Sequence, residues 1–184
     1  MIWWPIEIPT LTYGLITLRP AKESDIPEIY EACQDPLIPR FTTVPANYAM
    51  ADANYFIRDK APSHFFEKKE LLFVIAEGHA KDEKFCGVIS FHTIDHGNHV
   101  AELGYWIAAP ARGKGIGTTA AKLITEYGFT TMGFRRIEAL VDVANEASKV
   151  LLKAAGYELE GVMRAKVTRA DGSQKDMALY AKLN

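Results

Sequence analysis

Arg112-Gly113-Lys114-Gly115-Ile116-Gly117-Thr118 is a glycine-rich segment that joins an apolar strand pattern to an amphipathic helix pattern. The strand pattern covers 102–108, and the helix pattern carries apolar residues on one face from Ile116 to Tyr127. The alternating glycines let backbone N–H groups converge on an anion at the helix N-terminus, where the helix dipole also favours negative charge. The segment therefore predicts a phosphate-binding loop.

The spacing of the glycines excludes the common nucleotide loops. A Walker A loop needs a glycine, four residues and then Gly-Lys-Ser/Thr, and no such run occurs in the chain. The dinucleotide fingerprint Gly-x-Gly-x-x-Gly is one residue longer than Gly113-x-Gly115-x-Gly117, and no βαβ unit opens there. The length of the chain, and its lack of the catalytic-loop and metal-binding signatures, exclude a protein kinase.

The order of strand and helix patterns predicts a mixed sheet. Three consecutive strand patterns indicate antiparallel pairing and the later strand–helix–strand order indicates a parallel pair, so the expected class is α/β (α+β). Helices are expected from the N-cap Ser24 to Cys33 and from Met50 to Lys60, where Pro62 would end the second helix, with a proline-rich loop at 35–45. Strands are expected at 15–19, 71–76, 86–91, 100–108, 137–142, 157–163 and 177–182, turns at 78–84, 96–98 and 170–173, and a last helix from the N-cap Asn145 to Gly156.

The composition is that of an ordinary globular protein. The chain has 184 residues, 48% hydrophobic residues and a formal net charge of −2, so one domain spanning 1–184 is expected and bulk charge gives no support to nucleic-acid binding. Two cysteines, Cys33 and Cys86, are too few for a disulfide framework. There is no signal-peptide pattern and no apolar run long enough to cross a bilayer, which predicts a cytoplasmic protein without a membrane partner.

Two motifs together resemble the GCN5-related N-acetyltransferases (GNAT). Arg-x-x-Gly-x-Gly at 112–117 resembles the acyl-CoA loop of this superfamily, and Asn145 followed by a helix and Gly156-Tyr157 resembles its second signature. The segments 101–106 and 159–161 resemble the RimJ/RimL-type branch, which contains ribosomal-protein N-terminal acetyltransferases and many small-molecule acetyltransferases. The resemblance implies the GNAT fold, a mixed, mostly antiparallel sheet of about seven strands flanked by about four helices.

The resemblance also implies acetyl-CoA as the co-substrate and no metal. In the superfamily the coenzyme A pyrophosphate lies on the loop amides, and the asparagine contacts the pantetheine arm. A bulge in the strand before the loop presents a backbone N–H to the thioester carbonyl, which places that feature near Trp106 and Ile107. The implied coenzyme-binding residues are Trp106, Ile107, Arg112, Gly113, Lys114, Gly115, Ile116, Gly117, Thr118, Asn145 and Ser148.

Ser148 is the candidate partner of the departing thiolate. Many superfamily members use a tyrosine seven residues after the signature asparagine, but that position is Leu152 in this chain. Ser148, three residues after Asn145, matches the serine of the Rim-type branch. The alternative is a purely structural role, because serine is common in the first turn of a helix.

Glu102 is the candidate group for handling the acceptor amine. It lies on the strand that approaches the acyl site, and related enzymes often have a glutamate facing the amine there. The alternatives are a solvent-facing strand glutamate and a base acting through water. A carboxylate on the strand after the last helix, thought to act in some Rim-type enzymes, is replaced by Val167, and Tyr180 lies on a late strand where core packing is the default.

The acceptor remains open from the sequence. A protein N-terminal amine and a small-molecule amine such as a polyamine, an amino acid or an antibiotic both fit, and so do a catalytically silent acyl-CoA-binding module and, more remotely, a nucleotide-binding regulator. Three histidines, His92, His96 and His99, could in principle hold a metal, but we expect polar turn residues beside the acceptor cleft. A homodimer is an expected assembly, since dimers are common in the superfamily.

Overall fold

The computed structural model describes residues 1–79, 82–169 and 172–184. Its strands form one sheet in the order β1-β2-β3-β4-β5-β6-β8-β7. Among the described strands, β5 and β6 pair in parallel, and every other neighbouring pair is antiparallel. The strands are β1 Leu11–Tyr13, β2 Ile16–Arg19, β3 Leu71–Glu77, β4 Lys84–Asp95, β5 Val100–Ile107, β6 Arg136–Asp142, β7 Glu158–Thr168 and β8 Gln174–Leu183.

Helices cover both faces of the sheet. The helices are α1 Ile26–Ala32, α2 Leu37–Phe41, α3 Met50–Tyr55, α4 Ala61–Phe66, α5 Ile116–Tyr127 and α6 Glu146–Ala154. A π-helical turn, Phe56–Lys60, joins α3 to α4, and a second one, Gly128–Met132, extends α5. The mixed, mostly antiparallel fold expected from the sequence is therefore confirmed, with one strand more than the seven expected and five helices if the continuous α3–α4 is counted once.

Two apolar layers hold the helices to the sheet. The larger layer packs α5 and α6 against one face and includes the fully buried residues Phe73, Phe91 and Phe134. On the opposite face, α1, α2 and α3 bury a second cluster, which Trp106 of β5 also contacts. The central strand β3 is buried on both sides, which explains its continuous apolar run from Leu71 to Ala76.

Four expectations for the N-terminal half are wrong. The carboxylate of Asp25, and not Ser24, accepts the backbone N–H of Lys22 at 2.7 Å where the first helical segment begins. The proline-rich segment contains the short helix α2, and β1 forms an extra strand before the first one expected. The helix that begins at Met50 continues past Pro62 to Phe66, because the preceding π-helical turn changes the hydrogen-bond pattern where proline lacks a donor.

The other strands and the last helix lie within a few residues of the expected positions. The expected turns at 78–84 and 170–173 are described only in part, since residues 80, 81, 170 and 171 lie outside the described residues. Both cysteines are buried and free. Within the three described ranges, no helix is long and apolar enough to cross a membrane.

Candidate active site

The sheet opens between β5 and β6. The two strands pair only from Val100 to Glu102, opposite residues 136–138, and they then diverge. Ala108 N–H donates to Cys86 O of β4 at 2.8 Å, so backbone groups of alternate residues face β4 and the intervening ones face the opening. By this alternation, the N–H groups of Tyr105 and Ile107 face the opening.

The expected bulge at Trp106 and Ile107 is absent. The register between β4 and β5 is regular from Gly87–Ile107 to His92–Glu102, and it shifts only beyond His92. Divergence of the parallel neighbour frees the edge of β5 without any bulge. A thioester carbonyl in the opening would therefore meet the N–H of Ile107, whereas the backbone of Trp106 faces β4.

The glycine loop lies at the end of β5 and is open to solvent. Gly113 and Gly115 have φ values of +74° and +77°, and a Cβ at either position would meet no atom within 4 Å. Gly115 is the N-cap of α5 and has no side chain. The N–H groups in the first turn of the helix, beginning with Ile116, therefore have no capping side chain. Lys114 is exposed beside them. Such a loop fits a pyrophosphate.

Gly117 allows α5 to pack closely on the site. A Cβ at this position would lie 2.6 Å from a methyl group of Leu151 in α6 and 3.1 Å from the side chain of Ile107. Thr118, the next residue, is half-buried in the first turn of α5. The third glycine of the motif therefore acts in packing, whereas the first two keep the loop surface bare.

Arg112 is engaged within the protein. Its Nε donates to Ile107 O at 2.8 Å, and its Nη1 lies 2.5 Å from a carboxylate oxygen of Asp35, just before α2. The pKa of Asp35 is lowered, first by a hydrogen bond from Leu37 N–H and also by Arg112. The arginine of the motif thus connects the end of β5 to the corner between α1 and α2.

Asn145 and Ser148 form the N-terminus of α6. Asn145 Oδ1 accepts the backbone N–H of Ser148 at 3.2 Å, which is an N-cap interaction, and its Nδ2 group makes no hydrogen bond among the residues described. The hydroxyl of Ser148 lies 2.5 Å from the hydroxyl of Tyr105 on β5. The two roles considered for Asn145, helix cap and pantetheine contact, remain compatible.

Tyr105 is the residue that the sequence reasoning missed. Burial raises its pKa to about 12; the hydrogen bond with Ser148 lowers the pKa, and the nearby Tyr180 raises it. Tyr180 is 1% exposed, so it lies in the core as expected. Tyr105 lies on the same face of β5 as Leu103, and no local sequence pattern pairs it with a serine in α6.

Glu102 lies on the opposite face of β5, which it shares with Gly104 and Trp106; we call this face the acceptor face. Trp106 packs against Phe85, with ring centroids 5.8 Å apart, and forms an apolar wall there. Glu102 is half-buried and makes no hydrogen bond or ion pair within the described part of the chain. Its neighbour on β6, Glu138, is instead paired with Arg136 at 2.6 Å.

The three histidines lie in different environments. Nε2 of His96 is 3.2 Å from Lys68 O, and Nδ1 of His99 is 3.2 Å from Gly133 O. His92 alone lies on β4, beside Glu102. In the ranges that the structure describes, no group of three or more His, Cys, Asp or Glu side chains could hold a metal ion.

A cleft of about 400 Å³ lies between the α1–α2 corner and the β7–β8 hairpin. Two of its lining side chains, Arg40 and Arg169, are cationic, and no described carboxylate lines it. Lys175 lies nearby and pairs with Asp142 at 2.9 Å, so Arg169, at 3.8 Å, is the second cation on that carboxylate. The cleft therefore favours a ligand that carries negative charge and disfavours a polycation.

The sequence and the fold are similar to those of known acetyltransferases. The family described as "Acetyltransferase (GNAT) domain" matches residues 16–158. YdaF of Bacillus subtilis (strain 168), provisionally named a ribosomal N-acetyltransferase, is 35% identical over 109 residues, which are 59% of this chain and 59% of that protein. The chain thus matches less than two thirds of that relative's length.

Two further proteins resemble the chain over more of its length. The spermidine N(1)-acetyltransferase of Escherichia coli (strain K12) is 25% identical over 146 residues, which are 79% of this chain and 74% of that protein. The crystal structure of the Microcin C7 self immunity acetyltransferase MccE in complex with acetyl-CoA and AMP superposes with a TM-score of 0.81 and 30% identity, covering 94% of each chain.

Proposed function

Because this chain belongs to the GNAT acetyltransferase family, and is therefore an acyl-CoA-dependent N-acetyltransferase, we propose that it acetylates protein N-terminal amines of the ribosomal-protein type. The observation that carries the donor side of this proposal is the bare, uncapped glycine loop beside the opening between β5 and β6. Acetyl-CoA would lie with its pyrophosphate on residues 113–118 and its pantetheine arm beside Asn145. The single domain 1–184, the homodimer and the cytoplasmic location remain predictions.

The residues around the opening support direct attack of an amine on the thioester. The N–H of Ile107 would bind the thioester carbonyl and stabilise the negative charge that develops on its oxygen. Ser148 would donate a hydrogen bond to the departing sulfur, whose thiol form has an ordinary pKa of about 8.5 and so needs only modest help. Glu102, on the acceptor face, would attract the acceptor ammonium.

The cleft favours a protein N-terminus over a polyamine as the acceptor. Arg40 and Arg169 would repel a polycation, whereas a peptide carries only one ammonium and can carry carboxylates. An α-amine also needs little activation, since its pKa is about 8 against about 10.4 for a lysine-like amine. Spermidine is the second candidate, because a relative is named for it.

Release of free thiol from acetyl-CoA tests the acceptor class. Peptides that begin with serine or alanine and continue with acidic residues are compared with the same peptides acetylated at the N-terminus and with spermidine. We expect turnover with the free peptides alone. Turnover with spermidine alone would contradict the proposal and make the polyamine the acceptor. Binding of acetyl-CoA without turnover of any amine would identify a silent acyl-CoA-binding module.

Glu102→Gln tests the role of the carboxylate. The variant keeps the shape of the side chain and removes its charge, so the acceptor ammonium loses its partner and we expect kcat/KM for the peptide to fall about 10²-fold. The affinity for acetyl-CoA should not change. Glu126→Gln, on the exposed side of α5, is the matched control and should behave as the wild type. Equal activity of the two variants would leave Glu102 as a solvent-facing strand residue.

A further inference from the structure

His92 lies on the acceptor face, in the space that the absence of a side chain at Gly104 creates. If residue 104 had a Cβ, that atom would lie 2.5 Å from Nε2 and 2.8 Å from Cδ2 of His92. Side chains essentially never approach so closely, so the imidazole occupies the volume in which a side chain on residue 104 would stand. His92 therefore reaches from β4 over the neighbouring strand β5 at Gly104.

An unusual backbone conformation holds His92 there. The register shift in β4 follows His92, and Thr93 has a φ of +49°, which a β-branched residue adopts only under strain. Thr93 Oγ1 consequently lies 2.9 Å from Nδ1 of His92. When Nδ1–H donates to this hydroxyl, Nε2 carries the lone pair and is free to accept a proton.

Two carboxylates lie near His92, those of Glu102 and Glu70. Glu102 is its direct cross-strand neighbour on the same face. Ser90, the next residue of β4 on that face, donates to one oxygen of Glu70 at 2.8 Å, and the other oxygen of Glu70 lies 3.1 Å from His64. Both oxygens of Glu70 are thus engaged, whereas Glu102 has no hydrogen-bond partner among the described residues and stands opposite His92.

We propose that His92 is a catalytic base of this enzyme, with Nε2 above Gly104 taking a proton from the acceptor ammonium while Glu102 attracts the ammonium and stabilises the imidazolium. This inference rests on the proposed acetyl transfer and deepens it. The ammonium loses one proton to Nε2, and from there to solvent, which leaves the nitrogen lone pair free to attack. The C–N bond forms as the C–S bond breaks, the nitrogen gives its second proton to Nε2, and the departing thiolate takes one proton from solvent and leaves as the thiol, so one proton is released for each acetyl group transferred.

His92→Ala tests the base directly. We expect kcat/KM for the acceptor peptide to fall about 10²-fold, the lower end for general acid–base catalysis, with an unchanged acetyl-CoA affinity. Imidazole added to the buffer should restore part of the activity of His92→Ala and leave the wild type unaffected. His96→Ala is the matched control, since it removes a histidine of the neighbouring turn that contacts Lys68 O, and it should retain wild-type activity.

A stability measurement tests the placement of the imidazole without depending on activity. Gly104→Ala should lower Tm because the new methyl group collides with His92. In the His92→Ala background the same substitution should lower Tm much less, since the colliding ring is gone. Equal losses of Tm in the two backgrounds would mean that the imidazole does not lie above Gly104.

The activity results separate the inference from the function on which it rests. An active wild type with an equally active His92→Ala would overturn the inference alone, and so would a loss of activity that imidazole does not rescue. A wild type that binds acetyl-CoA but releases no thiol with any of the amines would overturn the proposed function and the inference together. A loss in His92→Ala with rescue by imidazole supports the base.

Discussion

At the scale of single residues, the hydroxyl of Ser148 is hydrogen-bonded to the hydroxyl of Tyr105. Either hydroxyl could donate across the 2.5 Å contact, and we expect Tyr105 to donate to Ser148 Oγ because a phenol is more acidic than an alcohol. The serine proton is then free to point into the opening, where the sulfur of the co-substrate would lie. Burial raises the pKa of Tyr105 to about 12, so this donor stays protonated far above neutral pH. We propose that this pair takes the place of the tyrosine that many superfamily members carry at the position of Leu152.

Substitution of both hydroxyls tests this pair. Ser148→Ala should lower kcat about 10²-fold, the scale for losing one donor to a developing charge. Tyr105→Phe should lower kcat about tenfold, the worth of one hydrogen bond, at an unchanged acetyl-CoA affinity. The double variant should be no slower than Ser148→Ala, because the tyrosine acts through the serine.

Tyr127→Phe is the control for the tyrosine substitution. Its hydroxyl is buried on α5 and has no hydrogen-bond partner among the described residues. Its removal should leave kcat unchanged and should not lower Tm. If the loss of kcat in the double variant equalled the sum of the losses in Tyr105→Phe and Ser148→Ala on the free-energy scale, the tyrosine would not act through the serine.

At the scale of the element, helix α5 has an N-terminus that no side chain caps. The N-cap position is occupied by Gly115 in the left-handed conformation, so no side chain competes for the first N–H groups. Arg112 does not fill the gap either, because Asp35 and the carbonyl of Ile107 engage it. An anion therefore has unobstructed access to the loop amides and to the positive end of a twelve-residue helix.

Gly115→Asp tests the loop. The new side chain meets no atom within 4 Å, and aspartate is a good N-cap that tolerates a positive φ, so the protein should stay folded. Its carboxylate would repel the pyrophosphate, and we expect calorimetry to show at least a tenfold loss of acetyl-CoA affinity.

Gly14→Asp is the matched control for the loop. This glycine also has a positive φ, of +59°, and open space around it, but it lies in the turn between β1 and β2. Its acetyl-CoA affinity should equal that of the wild type. Equal affinities of both variants would remove the glycine loop from the binding site.

At the scale of the whole molecule, one ion pair connects the two halves of the fold around the opening. Arg112 and Asp35 are partly buried, with 33% and 19% of their side chains exposed, and they join the glycine loop to the corner before α2. That corner also borders the arginine-lined cleft. This ion pair therefore joins the glycine loop to a corner that borders the arginine-lined cleft.

Asp35→Asn should lower Tm by about 2–4 °C, which corresponds to ~1 kcal/mol for a pair that is partly exposed. The pKa of Asp35 is lowered in the folded protein, so its contribution is present above the ordinary carboxyl pKa and is lost as the pH falls through the lowered value. The difference in Tm between wild type and variant should therefore persist at neutral pH and disappear in strong acid.

Glu23→Gln is the control for this ion pair. It removes the carboxylate partner of Arg58 in a pair whose side chains are 52% and 72% exposed, and it should barely change Tm. A difference between Asp35→Asn and wild type that does not change between neutral and acid pH would show that the carboxylate charge is not responsible.

The sequence was sufficient where the physical cause is local. Alternating glycines before a helix adopt a loop conformation and leave the backbone N–H groups uncovered. Residues 113–117 could therefore be interpreted as a phosphate-binding loop without knowledge of their tertiary contacts. Asn145 caps α6 through Ser148 N–H, three residues away, and this contact follows from spacing alone. Pro62 misled the helix prediction, since a π-helical turn that no periodicity reveals carries the helix past it.

By itself, then, the sequence determined the class of fold, because backbone propensity, capping and hydrophobic period act over a few residues, and its resemblance to two GNAT motifs indicated the family. Only the tertiary structure decided that Arg112 connects two elements, that Tyr105 supports Ser148 from 43 positions away, and that His92 lies above Gly104. These contacts depend on how strands pair and helices pack, so their distances are set by the whole sheet and by no local pattern. Local patterns therefore predicted the form of the glycine loop and the cap of α6, whereas the contacts of Arg112, Tyr105 and His92 emerged with the fold.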